Sequence, residues 1–321
     1  MKRIWKEMAI AALISVVVPW VMVCTAAFLQ RENPRTQETV PTVADYETQP
    51  AQIPASIDVW KDGQQQNMIM DEYLVGVLLA ELPGSFHIEA KKAQAVVART
   101  YALRTAEGNR KHPGAVCTDS GCCQGYLDPA VFTARGGDEQ YVAQARQAVA
   151  DTAGLVLTYE GELIEATYFS CSGGRTEDAV AVWGTDVPYL QSVVSPGEEG
   201  ASVYTDTVIF SANEFQKALG VTLSGDPESW FGTAAHTEGG GVASMQIGGR
   251  AYTGTQLRQK LELRSTAFTV DVTDQGIRIT TKGFGHRVGM SQYGADAMAK
   301  SGSSFRQILA HYYPGTALAD R

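Results

Sequence analysis

Residues 71–104 read DEYLVGVLLAELPGSFHIEAKKAQAVVARTYALR, and two helices separated by a short break account for the pattern. Proline excludes the residue before it from the α region, so a helix capped by Asp71 must stop at about Glu81 or Leu82, ahead of Pro83. A second helix, about residues 88–106, is rich in alanine and sets Ala93, Val97 and Tyr101 on one stripe. Both helices need a sheet to cover. Glu81 then stands at the negative end of the first helix among Val77, Leu78, Leu79 and Leu82. The unpaired carbonyls and the apolar neighbours both favour its neutral form, an expected upward shift in pKa. A carboxyl group held neutral is what a general acid requires. The plainer alternative is a surface glutamate fraying off a helix end.

Working outward, residues 57–60, the turn 61–63 and the stretch ending at Met70 form a predicted hairpin. Residues 154–159 and 163–168 alternate around Glu160-Gly161 as another, and residues 203–209 have strand character. Ser211 to Glu214 is a capping-box pattern opening a short helix. Residues 242–247 turn at Gly248-Gly249, residues 255–263 are helical, and residues 268–272 with 277–281 make a further hairpin. Helices near residues 292–300 and 305–313 follow, the last stopped by Pro314-Gly315. Segregated hairpins and helices predict an α+β fold with two lobes around a substrate cleft, spanning residues 53–321.

The 321 residues are 44% hydrophobic and 19% charged, an ordinary globular composition, with a formal net charge of -9. That charge excludes a nucleic-acid binder, which needs a basic face against phosphates. Lys2, Arg3 and Lys6 precede an apolar run over residues 8–29, long enough to cross a bilayer, so residues 1–30 read as a cytoplasmic tip and single transmembrane anchor. The positive flank places everything after Arg31 outside the membrane. A cleaved signal peptide is the alternative, with a shorter apolar core and a small-residue cleavage site. Residues 31–52, rich in Thr, Gln, Glu and Pro, read as a flexible tether.

Three of the five cysteines crowd into HPGAVCTDSGCCQGY, residues 112–126. His112, Cys117, Cys122 and Cys123 are four soft ligands within a dozen residues, a zinc pattern. Four protein ligands would make the metal structural, leaving no position for water. A disulfide from Cys117 to Cys122 or Cys123 is the other reading, and two adjacent cysteines on one ion are geometrically awkward. Cys171 with His286 suggests a cysteine hydrolase, for which neither residue carries a signature. Glu177 and Asp178 are either a second glycosidase carboxylate or caps of the next segment.

Three ordered blocks carry a resemblance. The first holds Glu72-Tyr73, Gly76-Val77, Ala80-Glu81-Leu82-Pro83 and Lys92-Ala93-Gln94-Ala95 through Arg99-Thr100-Tyr101. The second is YFSCSGGRTEDAVAVWG, residues 168–184, and the third GFGHRVGMSQYGADAMA, residues 283–299. Together they resemble the stage II sporulation protein D family, septal peptidoglycan lytic transglycosylases of endospore-forming bacteria. The resemblance spans approximately residues 57–314. It implies cleavage of the bond between N-acetylmuramic acid and N-acetylglucosamine in septal wall remodelling and engulfment, leaving 1,6-anhydro ends, with Glu81 as acid and base. It also implies a preference for strands stripped of stem peptides, and partnership with an amidase and a membrane protein of the engulfment machinery. His112, Cys117, Cys122 and Cys123 match the family's His/Cys arrangement. Around Glu81 the expected substrate contacts are Arg99, Tyr168, Ser170, Ser172, Gly173, Thr176, His286, Ser291, Gln292 and Tyr293, with tyrosines for stacking and serines and amides for hydrogen bonds. A different class also fits: a membrane-tethered glycan-binding or scaffold protein with an idle Glu81.

Overall fold

The computed structural model describes residues 54–108 and 112–320, within the compact unit Ala51–Arg321. The anchor and tether expected over residues 1–52 lie outside the described residues. Among the described residues no helix is long and apolar enough to cross a membrane.

The fold is mixed α and β. Strands β1 (Ser56–Lys61) and β2 (Gln64–Ile69) form the first hairpin, and helix α1 (Met70–Glu81) follows directly. Its cap is Ile69 without a side-chain bond, so Asp71 sits inside the first turn and not at the cap. Leu82 is extended (ψ 145°), as Pro83 demands. Helix α2 (Ile88–Gly108) runs two residues beyond the expected end. Strand β3 (Ala115–Cys117), not foreseen, pairs parallel with β1 and sets Cys117 opposite Trp60. Helices α3 (Pro129–Ala134) and α4 (Glu139–Asp151) were also unforeseen. The buried face of α4 is Tyr141, Ala145, Ala148 and Val149 at helical spacing, and its two alanines let it lie close to α1 and α2.

The second predicted hairpin breaks after two residues of its return strand. Strand β4 (Leu155–Tyr159) pairs with β5 (Glu162–Leu163), and β6 (Tyr168–Phe169) leaves for a different sheet. After helix α5 (Ala179–Trp183) the chain enters a self-contained lobe. Its elements are β7 (Thr205–Phe210), α6 (Ala212–Leu219, with the expected capping box at Ser211), β8 (Phe231–His236), β9 (Val242–Ile247), β10 (Arg250–Thr253), α7 (Gly254–Lys260), β11 (Phe268–Thr273) and β12 (Gly276–Lys282). These elements share one hydrophobic core built on Phe215, Trp230, Leu257 and Ile279. The chain leaves and returns at adjacent points, where the Gly283 N–H donates to the Tyr204 carbonyl at 2.7 Å.

Strand β13 (Met290–Ser291) pairs parallel with β6, bringing the second and third sequence blocks side by side. Helices α8 (Gln292–Lys300) and α9 (Phe305–Tyr312) and strand β14 (Ala317–Asp320), antiparallel to β4, close the chain. Two further cores lie on either side of α2. One, including Leu74, Leu78 and Ala98, faces α1 and α4; the other, including Val97, Leu157 and Tyr312, faces α8 and α9.

Candidate functional site

Glu81 ends α1 at the edge of a cleft of about 820 Å³. The loop of residues 124–127 crosses α1 where Gly76 has no side chain: a Cβ there would fall 2.2 Å from the Tyr126 ring. Tyr126 stacks on Tyr73 at 6.0 Å, and the Leu127 N–H donates to the Gly76 carbonyl at 3.0 Å. This packing delivers Gly125 to the helix end, where its N–H donates to Glu81 Oε1 at 2.7 Å. Just before it, buried Gln124 donates from Nε2 to the Tyr73 hydroxyl (3.2 Å) and the Ala98 carbonyl (3.3 Å), while its Oε1 accepts from the Tyr168 hydroxyl at 3.1 Å. Burial, then the Glu81 charge, hold the Tyr168 phenol well above its usual range, so it remains a proton donor.

The surroundings of Glu81 differ from the apolar pocket expected. Val77, Leu78, Leu79 and Leu82 are buried in the cores, and the carboxylate accepts from the Gly125 amide with the Tyr168 phenol nearby. The helix-end carbonyls of Leu78 and Leu82 both accept from the Tyr141 hydroxyl, at 2.6 and 2.8 Å.

Of the residues expected to contact substrate, Tyr168, Ser170, His286 and Gln292 line this cleft with Glu81. Gln292 is 6% exposed, and its Nε2 has no hydrogen-bond partner among the described residues. His286 is half-buried, and burial, reinforced by the Arg258 charge, pulls its imidazole down to about 4.

The others stand elsewhere. Arg99 is 1% exposed and donates to the carbonyls of Thr152 (2.7 Å), Leu155 (3.1 Å) and Val149 (3.4 Å), holding the end of α4 and the start of β4. Ser172 and Ser291 are buried and turn inward to Glu198, which also accepts from Ser195 Oγ (3.0 Å) and from the Gly174 N–H (3.1 Å). Ser172 donates to it at 2.5 Å. A buried carboxylate needs these donors, and that need outweighs any role the hydroxyls would have at the surface. Thr176 is buried against the Gln191 and Val193 carbonyls. Gly173 presses on the backbone of Lys282 and Gly283. Tyr293 packs edge-on to Phe86 at 5.0 Å, in the core beside α2. Glu177 is ion-paired with buried Arg287 at 3.1 Å, and Asp178 accepts from the Ser192 N–H at 2.7 Å, so neither serves the cleft. Cys171, likewise, is buried beside Glu198, and burial pushes its thiol up to about 12, the opposite of a nucleophile.

Among the cleft residues that sequence reading missed are Trp183, Phe284, Tyr101 and Glu165. Glu165 is ion-paired with Arg104 at 3.1 Å. The sequence signal for Trp183 is only a tryptophan directly before a glycine, Gly184, which the structure shows ending a five-residue helix.

At the edge of the cleft, the ligand atoms of His112, Cys117 and Cys122 lie within 4.8 Å of one another. No disulfide joins cysteines among the described residues. An imidazole just before β3, a thiol at its end and another in the following turn are a donor set suited to zinc. Cys123 is not in that trio; its sulfur lies 3.8 Å from that of Cys122, and both residues line the Glu81 cleft.

Comparison with known proteins places these features in a family. Residues 62–159, which contain α1, Glu81, the cysteines and Gly125, match the stage II sporulation protein family model. The chain is 38% identical over 302 residues to stage II sporulation protein D of Bacillus amyloliquefaciens, covering 92% of this chain and 88% of that one. It is 39% identical over 274 residues to stage II sporulation protein D of Bacillus subtilis (strain 168), covering 83% and 80%. A more distant relative is the amidase enhancer of the same organism, 29% identical over 303 residues, 76% of this chain and 40% of that one. The chain belongs to the stage II sporulation protein D family.

Proposed function

We propose that the protein is a peptidoglycan lytic transglycosylase acting in sporulation, with Glu81 as its single acid and base. The observation that carries this reading is the contrast between the two carboxylates of the cleft. Glu165 is tied to Arg104, whereas Glu81 is held by the Gly125 amide beside the Tyr168 phenol. In its acid form Glu81 gives its proton to the glycosidic oxygen as the bond from that oxygen to C1 of N-acetylmuramic acid breaks. The resulting carboxylate takes the proton of the muramic 6-hydroxyl as O6 bonds to C1, leaving a 1,6-anhydro end and consuming no water. Gly125 fixes the position of Oε1 through both proton transfers, and Gln292 Nε2 and Ser170 supply hydrogen bonds to the substrate.

Zinc belongs to this reading as a structural metal. His112, Cys117 and Cys122 would hold it, with Cys123 the fourth donor, and it would brace the loop that leads into Gln124 and Gly125. The membrane anchor and extracytoplasmic placement expected from residues 1–30 are part of the same proposal. So is action after an amidase that strips stem peptides and beside a membrane partner, a link consistent with the name of the amidase-enhancer relative.

The test is product analysis on purified, peptide-free glycan strands. Anhydromuramic ends from wild type and none from Glu81→Ala are expected. Reducing ends in place of anhydro ends would make the enzyme a hydrolase and recruit Glu165. No cleavage by either form would leave a glycan-binding scaffold.

A further inference from the structure

Trp183 is the last residue of α5, and Gly184, in the left-handed conformation, turns the chain away behind it. The indole is 46% exposed and lines the cleft that Glu81 also lines. Leaving so large an apolar face in water is costly, and nothing about a five-residue helix requires it. Yet the ring is firmly backed. Its centroid lies 5.4 Å from that of His286, which in turn lies 5.6 Å from that of Phe169. His286 is pinned as the middle ring because its Nδ1 accepts the Val288 N–H at 3.1 Å. With its imidazole pulled down to about 4, the middle ring carries no charge at neutral pH. Phe284, 41% exposed, adds a further ring to the cleft, with the Arg264 guanidinium 5.5 Å from its centroid.

We propose that Trp183, backed by His286 and Phe169, is a stacking platform for a pyranose ring of the bound strand, an assignment that rests on the glycan reading above. The C–H face of a pyranose is weakly positive and matches the negative face of an indole, while the equatorial hydroxyls and N-acetyl group need polar partners around the rim. The cleft supplies them. The unpartnered Nε2 of Gln292, Ser170 and the Glu81 carboxylate stand among the rings. A lipid or a hydrophobic peptide would leave those groups desolvated and unpaired, which disfavours both. The platform would raise affinity for the strand without touching a proton, so Trp183 is a positioning residue.

The experiment measures binding of peptide-free peptidoglycan strands in a Glu81→Gln background, where strands stay intact. Trp183→Ala should weaken binding about five- to ten-fold, the range of a lost aromatic contact, and Trp183→Phe by about two-fold at most. Trp183→Leu keeps apolar bulk against His286 but offers no π face, and should behave like Ala with an unchanged thermal midpoint. Leu and Ala variants that bind as tightly as their parent would overturn the platform and leave the assignment of Glu81 standing. A parent that does not bind strands at all would overturn both.

Discussion

The backbone N–H of Gly125 meets Oε1 of Glu81 at 2.7 Å, and a Cβ on Gly125 would stand 2.9 Å from that same oxygen. The acid is therefore positioned by a residue whose side chain must be missing. Gly125→Ala should push the carboxylate off its donor while leaving the cores untouched. The expected result is at least about a ten-fold loss of strand cleavage, as small displacements of a catalytic group produce, with wild-type thermal stability. Unchanged turnover would show that this hydrogen bond does not position the acid.

Arg99 separates the structural account from the sequence expectation that it touches substrate. It is buried, with its guanidinium spent on three backbone carbonyls. Arg99→Ala should cost on the order of 3 kcal/mol in urea unfolding, because it strands buried acceptors. Strand affinity of the remaining folded protein should match wild type. A loss of affinity with stability intact would return Arg99 to the binding site.

His286 gives the molecule an acid-side instability. An unfolded histidine takes its proton near 6.5, and the folded one near 4. Between those values the unfolded chain binds more protons, so stability rises with pH there. The contribution is fully present above about 6.5 and is lost as pH falls toward 4. Thermal midpoints over this window should fall less steeply for His286→Leu than for wild type. Equal slopes would mean the imidazole titrates normally in the folded protein.

Local rules were legible in residues 71–104. Pro83 ends α1 where steric exclusion says it must, and the capping box at Ser211 and the turn at Gly248-Gly249 fall at their expected positions. What failed was non-local. β3 has three residues and is a strand only because β1 lies beside it. Tyr168 reads as the end of a hairpin, yet pairs instead with Met290, more than a hundred residues on. The serines of the second and third blocks show the limit most clearly. A hydroxyl in a glycine-rich loop looks the same whether it faces a ligand or a buried carboxylate, and Glu198, which claims Ser172 and Ser291, lies in neither block. The opposite error befell Trp183, whose exposure depends on a cleft wall assembled from distant segments.

The bond between Gly283 and Tyr204 closes the entrance to the lobe that β7 to β12 build. A segment whose two ends already touch subtracts little from the chain entropy of its host, since closure cost grows only with the logarithm of length. The lobe is thus a guest in the sequence. The cleft's blocks are kept in register by the pairing of β6 with β13 and by the knot at Glu198, so growth or replacement of the guest leaves Glu81 on its Gly125 donor and changes the wall only where Arg258 and Arg264 face His286 and Phe284.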